Sequence, residues 1–184
     1  MLALTSYQTE FVHELLNARI AFLVVGGRAM QAHGIDRATR DLDIWISRGG
    51  DNPERVYPVL AKRMEIPSPR LNAHALRGMK KLICLPSAEA KEVDVLTSLG
   101  ALDFELASSA GVDVDYGGAS FRVLGLPELV YSKTVSATCN ESPQARARDV
   151  ADLDLLLELW RKRHNPALNQ DAQQAGFARS LRAG

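Results

Sequence analysis

Apolar residues run unbroken from Ile20 to Val25 (Ile-Ala-Phe-Leu-Val-Val), a stretch short and β-branched enough to predict a strand buried on both faces. Two glycines follow, Gly26 and Gly27. A short helical piece from Arg28 to His33 comes next, ended by Gly34 in the usual C-terminal glycine position. After a polar loop the pattern turns to alternation in Asp41-Leu42-Asp43-Ile44-Trp45-Ile46. Side chains two apart in a strand share a face, so Leu42, Ile44 and Ile46 point to a core while Asp41 and Asp43 point the other way.

Other segments read as simply. An amphipathic helix is predicted from Thr9 to Ala18 on the stripe Phe11, Val12, Leu15 and Leu16. Asp51 or Asn52 caps a second helix whose first residue is Pro53 and whose stripe is Val56, Val59, Leu60 and Met64, with Pro58 expected to shorten or kink it. Ile66 to Gly78 reads as a loop or poorly formed helix. Lys80–Leu85 and Lys91–Thr97 form a hairpin turning at Pro86 to Ala90, and Leu102–Ala110 is helical. A second hairpin pairs Val112–Tyr116 with Ala119–Leu124 through Gly117 and Gly118. Helices then begin at Pro127, running to Cys139, and at Pro143, running to His164. Arg146 and Asp149 lie at the start of the last helix's predicted stripe, Val150, Leu153, Leu157 and Trp160.

The pattern sums to an α+β fold: a small mixed β-sheet packed with helices and followed by a C-terminal helical segment. We read residues 1–125 as the α/β core and 126–184 as a helical region packed on it, a single unit for a chain of 184 residues. No basic leader and no apolar run near the ~20 residues of a membrane span is present, and Cys84 and Cys139 stand far apart. Cys84, inside an apolar strand, is expected only to pack. These features point to a cytoplasmic protein. Charge is balanced, 22 basic against 22 acidic residues, but unevenly distributed. Lys62, Arg63, Arg70, Arg77, Lys80 and Lys81 cluster between Ala61 and Lys81. Glu89, Glu92, Asp94, Asp103, Glu105, Asp113 and Asp115 cluster further on. The two clusters are either solvated faces or a basic flank that guides a polyanion toward an acidic site.

The chemistry concentrates around the first strand. Gly26-Gly27 lets the backbone turn sharply and approach a ligand, and the helix after it turns free N–H groups toward a phosphate. Asp41 and Asp43 at the head of the next strand repel by roughly 4 kcal/mol at ~4 Å and an effective dielectric near 20, a cost that a cation removes. In Glu92-Val93-Asp94-Val95-Leu96 the valines face the core, so Asp94 faces away. If this strand lies beside the Asp41 strand, three carboxylates gather to hold one or two Mg²⁺ ions, with Mn²⁺ as an alternative. Lys133 falls on the apolar stripe of its helix (Leu126, Leu129, Val130, Ala137), where a lysine either snorkels to water or reaches an anion.

Together Gly26-Gly27-Arg28-Ala29, Arg37-x-Thr39-x-Asp41-Leu42-Asp43, Asp94, Lys133 and Arg146-x-Arg148-Asp149-x-x-Asp152 resemble the nucleotidyltransferase (DNA polymerase β-like) superfamily. The closest likeness is to its bacterial branch of toxins from abortive-infection, type IV toxin–antitoxin systems. The resemblance covers Ile20 to Trp160. It implies an enzyme that moves a nucleoside monophosphate from an NTP to an acceptor hydroxyl, releasing pyrophosphate, with an RNA, tRNA or protein acceptor and a cognate antitoxin. It assigns Asp41, Asp43 and Asp94 to metal and catalysis, and Gly26, Gly27, Arg28, Lys133 and Asp149 to nucleotide and phosphate. Two departures stand out. Arg28 occupies a position where the superfamily usually has a hydroxyl, so backbone or guanidinium must replace it. The C-terminal helical region is smaller than the toxin branch often carries. A small-molecule, antibiotic-type transferase and a non-catalytic nucleotide-binding module are the competing readings.

Overall fold

The computed structural model describes residues 2–64, 71–78, 82–85 and 93–165. The first helix, α1 (Ser6–Asn17), starts earlier than the apolar stripe predicts. Thr5 and Gln8 form a reciprocal capping box that satisfies its first N–H groups, and Phe11, Val12 and Leu15 enter the core. All four residues of β1 (Phe22–Val25) are buried. Helix α2 (Gly26–Ala32) begins at the glycine pair itself, with Gly26 at φ +59°, and Gly34 ends the segment at φ +93°. Strand β2 is Leu42–Ile46, so Asp41 sits on the loop just before it.

Leu42, Ile44 and Ile46 are buried as the alternation requires. The opposite face is less open than that alternation implies. Trp45, two residues beyond Asp43, is also buried and meets Phe104 edge-on at 5.1 Å. Asp43 therefore sits at the end of a strand covered on both sides.

Helix α3 (Asn52–Arg63) contains Pro58 yet runs its full 12 residues, so the expected shortening does not occur. Neither expected cap acts as one: Asp51 makes no side-chain cap, and Asn52 reaches the strands instead. The Asn52 amide accepts from the Ala21 N–H at 2.7 Å and donates to the carbonyls of Ala21 (3.1 Å) and Ser47 (2.8 Å). It thereby pairs backbone groups where β1 begins and β2 ends.

A short helix, α4 (Ala73–Arg77), precedes β3 (Leu82–Leu85) and β4 (Val93–Leu96). Then come α5 (Phe104–Ser109), β5 (Val112–Tyr116) and β6 (Ala119–Val123). The sheet has six strands in the order β3-β4-β2-β1-β6-β5. The pairs β1/β2, β3/β4 and β5/β6 are antiparallel, while β2/β4 and β1/β6 are parallel. This is the mixed α+β arrangement the sequence predicts. The hairpin turn Pro86–Ala90, Glu92, the basic residues Arg70, Lys80 and Lys81, and the tail from Pro166 lie outside the described residues.

Helices α6 (Leu126–Cys139) and α7 (Pro143–His164) pack against each other. The predicted α7 stripe is corrected: Val150 is exposed, and the buried residues are Asp152 and Leu156. The inward face carries carboxylates because α6 and the loop before β2 present cations to it. Leu153, Leu157 and Trp160 of the predicted stripe are half-buried, so apolar periodicity places the inward face of such a helix to one side of its true centre.

The described part of the basic cluster is held in local ion pairs. Lys62 and Arg63 meet Glu14 at 3.2 and 2.8 Å, and Arg77 meets Glu54. Among the acids, Asp103 caps α5, Glu105 accepts from Ser47, and Asp113 pairs with Arg122. These charges behave as solvated, locally paired faces.

Candidate active site

Sheet register gathers the chemistry into one row. Val25 on β1 is the Cα partner of Asp43 on β2, Asp43 that of Asp94 on β4, and Asp94 that of half-buried Cys84 on β3. Asp43 and Asp94 thus stand side by side on one face, while their neighbours Leu42, Ile44, Val93 and Val95 fill the core beneath. The glycine turn follows directly from Val25. A methyl group on Gly26 would lie 2.1 Å from Asp43 Oδ2, and one on Gly27 would lie 2.4 Å from Arg37 Nη1 and 2.9 Å from Thr39 Oγ1. Only glycine permits both the positive φ at Gly26 and this approach.

A cleft of about 420 Å³ opens in front of the row. Gly27, Asp41, Asp43 and Lys133 line it, as sequence reading expects for a common site, and so do Arg37, Ala38, Thr39, Arg40 and Arg148. Asp94 is not among the lining residues. It stands next to Asp43 with its Oδ1 buried and, among the described residues, without a hydrogen-bond partner. Asp43 is the most perturbed acid of the group. Burial, then the neighbouring charge of Asp94, push its carboxyl up to about 6, with Asp41 adding to the rise and Lys133 and Arg37 opposing it.

Lys133 is neither snorkelling nor aimed at open solution. Its Nζ bridges Asp149 Oδ1 at 2.9 Å and Asp152 Oδ2 at 2.7 Å. Asp152 also takes a two-point contact from Arg37, Nε at 2.8 Å and Nη2 at 3.1 Å. Burial by itself would raise the Asp152 carboxyl, but the hydrogen bonds from Arg37 and Lys133 outweigh it and hold the group below the usual carboxylate range. Asp149 accepts from Lys133 and from Asn140, so it orients the lysine. This network carries the loop before β2, α6 and α7 into one unit.

Arg28 departs from its expected phosphate contact. It is buried, its guanidinium donates to Gln8 Oε1, Gln31 Oε1 and the Arg40 carbonyl, and it does not line the cleft. The side chains standing over Gly27 are instead Arg37 and Thr39, which sequence reading placed in a motif without giving them a role. Arg40, Arg148 and Asp152 were likewise unassigned. The one available signal was their spacing within Arg37-x-Thr39-Arg40-Asp41 and Arg148-Asp149-x-x-Asp152.

The sheet order, with a glycine turn abutting an acid of the adjacent strand, is the architecture of a nucleotidyltransferase. An antigenic nucleotidyltransferase-like protein from Paracoccidioides brasiliensis shares the fold, with a TM-score of 0.55 at 14% identity over 82% of this chain and 73% of that one. A nucleotidyltransferase candidate from Thermotoga maritima aligns at 14% identity and TM-score 0.48 over 82% of this chain and 89% of that one. ANT(2″)-Ia, solved with adenylyl-2″-tobramycin, aligns at 12% identity and TM-score 0.48 over 95% and 99%. No curated protein sequence matches the chain. The AbiEii family, the nucleotidyl transferase toxins of type IV toxin–antitoxin systems, matches residues 13–183, and the chain belongs to it. Among the described residues no helix is long and apolar enough to cross a membrane.

The family typically uses divalent metals. The donors here suit a hard cation: carboxylate oxygens only from Asp41, Asp43 and Asp94, one of them a buried oxygen with no hydrogen-bond partner among the described residues. Among the described residues, no three His, Cys, Asp or Glu side chains form a cage able to hold a metal by themselves. The expected gathering of Asp41, Asp43 and Asp94 into a three-carboxylate metal cluster is therefore corrected: these side chains by themselves do not form one.

Proposed function

We propose that this toxin-family enzyme transfers a nucleoside monophosphate from an NTP to a hydroxyl of an RNA, with Asp41, Asp43 and Asp94 as its catalytic carboxylates. The observation that carries this reading is the juxtaposition of Asp43, in register with Asp94, against the Gly26 turn at the edge of the cationic cleft. Asp41 and Asp43 would hold Mg²⁺ together with the triphosphate, and Asp94 would help to hold a second ion. The bound metal supplies charge neutralisation and Lewis acidity at the phosphoryl oxygens.

The protein's own groups do the rest. Gly26 and Gly27 bring bare backbone up to the phosphates, and Arg37 and Thr39 stand over Gly27 where the missing hydroxyl of the superfamily would act. Lys133, held by Asp149 and Asp152, places one positive charge at the cleft wall. In the reaction the acceptor oxygen bonds to the α-phosphorus as the bond to the β-phosphate bridge breaks. Pyrophosphate leaves, and Asp94 takes the hydroxyl proton. Arg40 and Arg148, exposed at the cleft, suit a polyanionic acceptor better than a small neutral one. A cognate antitoxin is the expected partner of a toxin of this type.

The test incubates the protein with each α-³²P-NTP, Mg²⁺ and total RNA. Label is expected in RNA, lost by at least 10³-fold in Asp41→Ala/Asp43→Ala, on the order of effects seen when charge-positioning groups are removed. Label appearing only in a small hydroxylated compound supports the antibiotic-type alternative. Undiminished transfer by the double variant contradicts the assignment.

A further inference from the structure

Beneath the cleft, three side chains hold the loop that delivers Asp41. Gln8 belongs to α1 and to no chemistry-bearing motif, yet it is fully buried and far from its own helix's apolar role. Its Nε2 donates to the Arg40 carbonyl at 2.7 Å, and its Oε1 accepts from Arg28 Nη2 at 3.1 Å. Gln31 on α2 repeats the arrangement: Oε1 accepts from Arg28 Nη1 at 3.2 Å, and Nε2 donates to the Arg37 carbonyl at 2.8 Å. Arg28 Nη2 adds a contact to the Arg40 carbonyl at 3.2 Å.

Each glutamine has its amide orientation set from both sides. A flipped amide would press NH₂ against the guanidinium and oxygen against a carbonyl. The two carbonyls held this way, Arg37 and Arg40, bracket Ala38 and Thr39. The Arg40 carbonyl lies in the same rigid peptide plane as the Asp41 N–H, and two side-chain donors occupy it. Fixing that plane fixes where Asp41 begins. Because Asp41 lies before β2 and not within it, no strand ladder orients it.

We propose that Gln8, with Arg28 and Gln31, is a positioning residue that sets the Asp41 carboxylate for its metal. The inference rests on the reading of Asp41 as a metal ligand. Arg28 thereby does a job different from phosphate contact: it ties the helix that starts at the glycine pair to the loop that ends at Asp41. Groups that orient a metal ligand typically change metal affinity by ~10–100-fold when altered.

Gln8→Glu isolates this role. A carboxylate at position 8 still accepts from Arg28, and more strongly, so the fold is kept. It cannot donate to the Arg40 carbonyl, which then keeps only its contact from Arg28. The experiment compares wild type, Gln8→Glu and Asn52→Ala, the last weakening β1 and β2 well away from this loop. Two readouts are taken: Mn²⁺ affinity by electron paramagnetic resonance with NTP present, and the Mg²⁺ concentration giving half-maximal transfer. Gln8→Glu is expected to weaken Mn²⁺ binding and raise the Mg²⁺ requirement, each about tenfold. Its rate at saturating Mg²⁺ stays near wild type and its melting temperature falls no further than that of Asn52→Ala, which leaves Mn²⁺ affinity and Mg²⁺ requirement unchanged. Equal Mn²⁺ affinity and Mg²⁺ requirement in Gln8→Glu and wild type overturn the inference while leaving the function standing. Absence of Mn²⁺ binding by the wild type overturns both.

Discussion

Asp43→Asn is expected to raise the melting temperature of the metal-free protein at pH 8 while abolishing nucleotidyl transfer. Its ordinary carboxylate value, 3.8, is lifted to about 6 by burial and by Asp94. A raised acid holds its proton more tightly in the folded state, so stability is fullest below about 4 and is lost as pH rises through about 6. A shift of this size corresponds to about 3 kcal/mol at pH 8 and a gain of several degrees in Tm. Asparagine has the same shape without the charge and removes that loss. The same substitution removes a metal ligand, so transfer falls by at least about 10³-fold. Two further signs follow. Wild-type Tm without metal falls between about pH 4 and pH 6, and Asp43→Asn flattens that slope. Added Mg²⁺ with NTP stabilises wild type most above pH 6, where Asp43 is ionised, and does little for the variant. Thermal scans across pH with and without Mg²⁺ measure all of these. An Asp43→Asn protein no more stable than wild type at pH 8 contradicts the buried-repulsion account.

Gly26→Ala should be nearly as damaging, by a route that is purely geometric. Its φ of +59° costs an alanine about 1–2 kcal/mol. The added methyl would stand 2.1 Å from Asp43 Oδ2, so the carboxylate has to swing away. A displacement on the scale of 1 Å at a reacting centre lowers rate by about 100-fold. Gly34→Ala is the control: it shares a positive φ, +93°, but its methyl meets nothing within 4 Å. Both variants should lose stability in urea, Gly26→Ala the more because of its clash with Asp43, while only Gly26→Ala loses transfer. Equal activities would show that the turn's close approach to Asp43 is irrelevant to the chemistry.

Local patterns on the chain were sufficient wherever structure is set by neighbours in sequence. The buried strand Phe22–Val25, the turn at Gly117-Gly118 and the helix opened by Pro143 all declare themselves through period, glycine and proline. That the Asp43 and Asp94 strands are neighbours stands in the sequence only as a condition, because alternation fixes which face each acid takes and not which strand lies beside it; the register supplies the pairing. What escaped was set by long-range polar contacts. Nothing near Arg28 in sequence reveals that its guanidinium turns down toward Gln8, 20 residues away, and not up toward phosphate. The inward face of α7 is offset from the predicted stripe because Asp152 is buried by Arg37, 115 residues distant, and apolar periodicity gives no weight to an acid at that position. Pro58 does not shorten its helix as expected. α3 runs through it on the packing of Val56 and Leu60.

The most direct test of the central claim is diffraction from crystals grown with Mn²⁺ and a non-hydrolysable NTP. The account predicts an anomalous Mn²⁺ peak bonded to Asp41 and Asp43, with the triphosphate lying over Gly26 and Gly27 in the 420 Å³ cleft. A nucleotide seated instead in the separate 370 Å³ cavity beside Trp45, Ser47 and Phe104, with no metal at the two carboxylates, would contradict it.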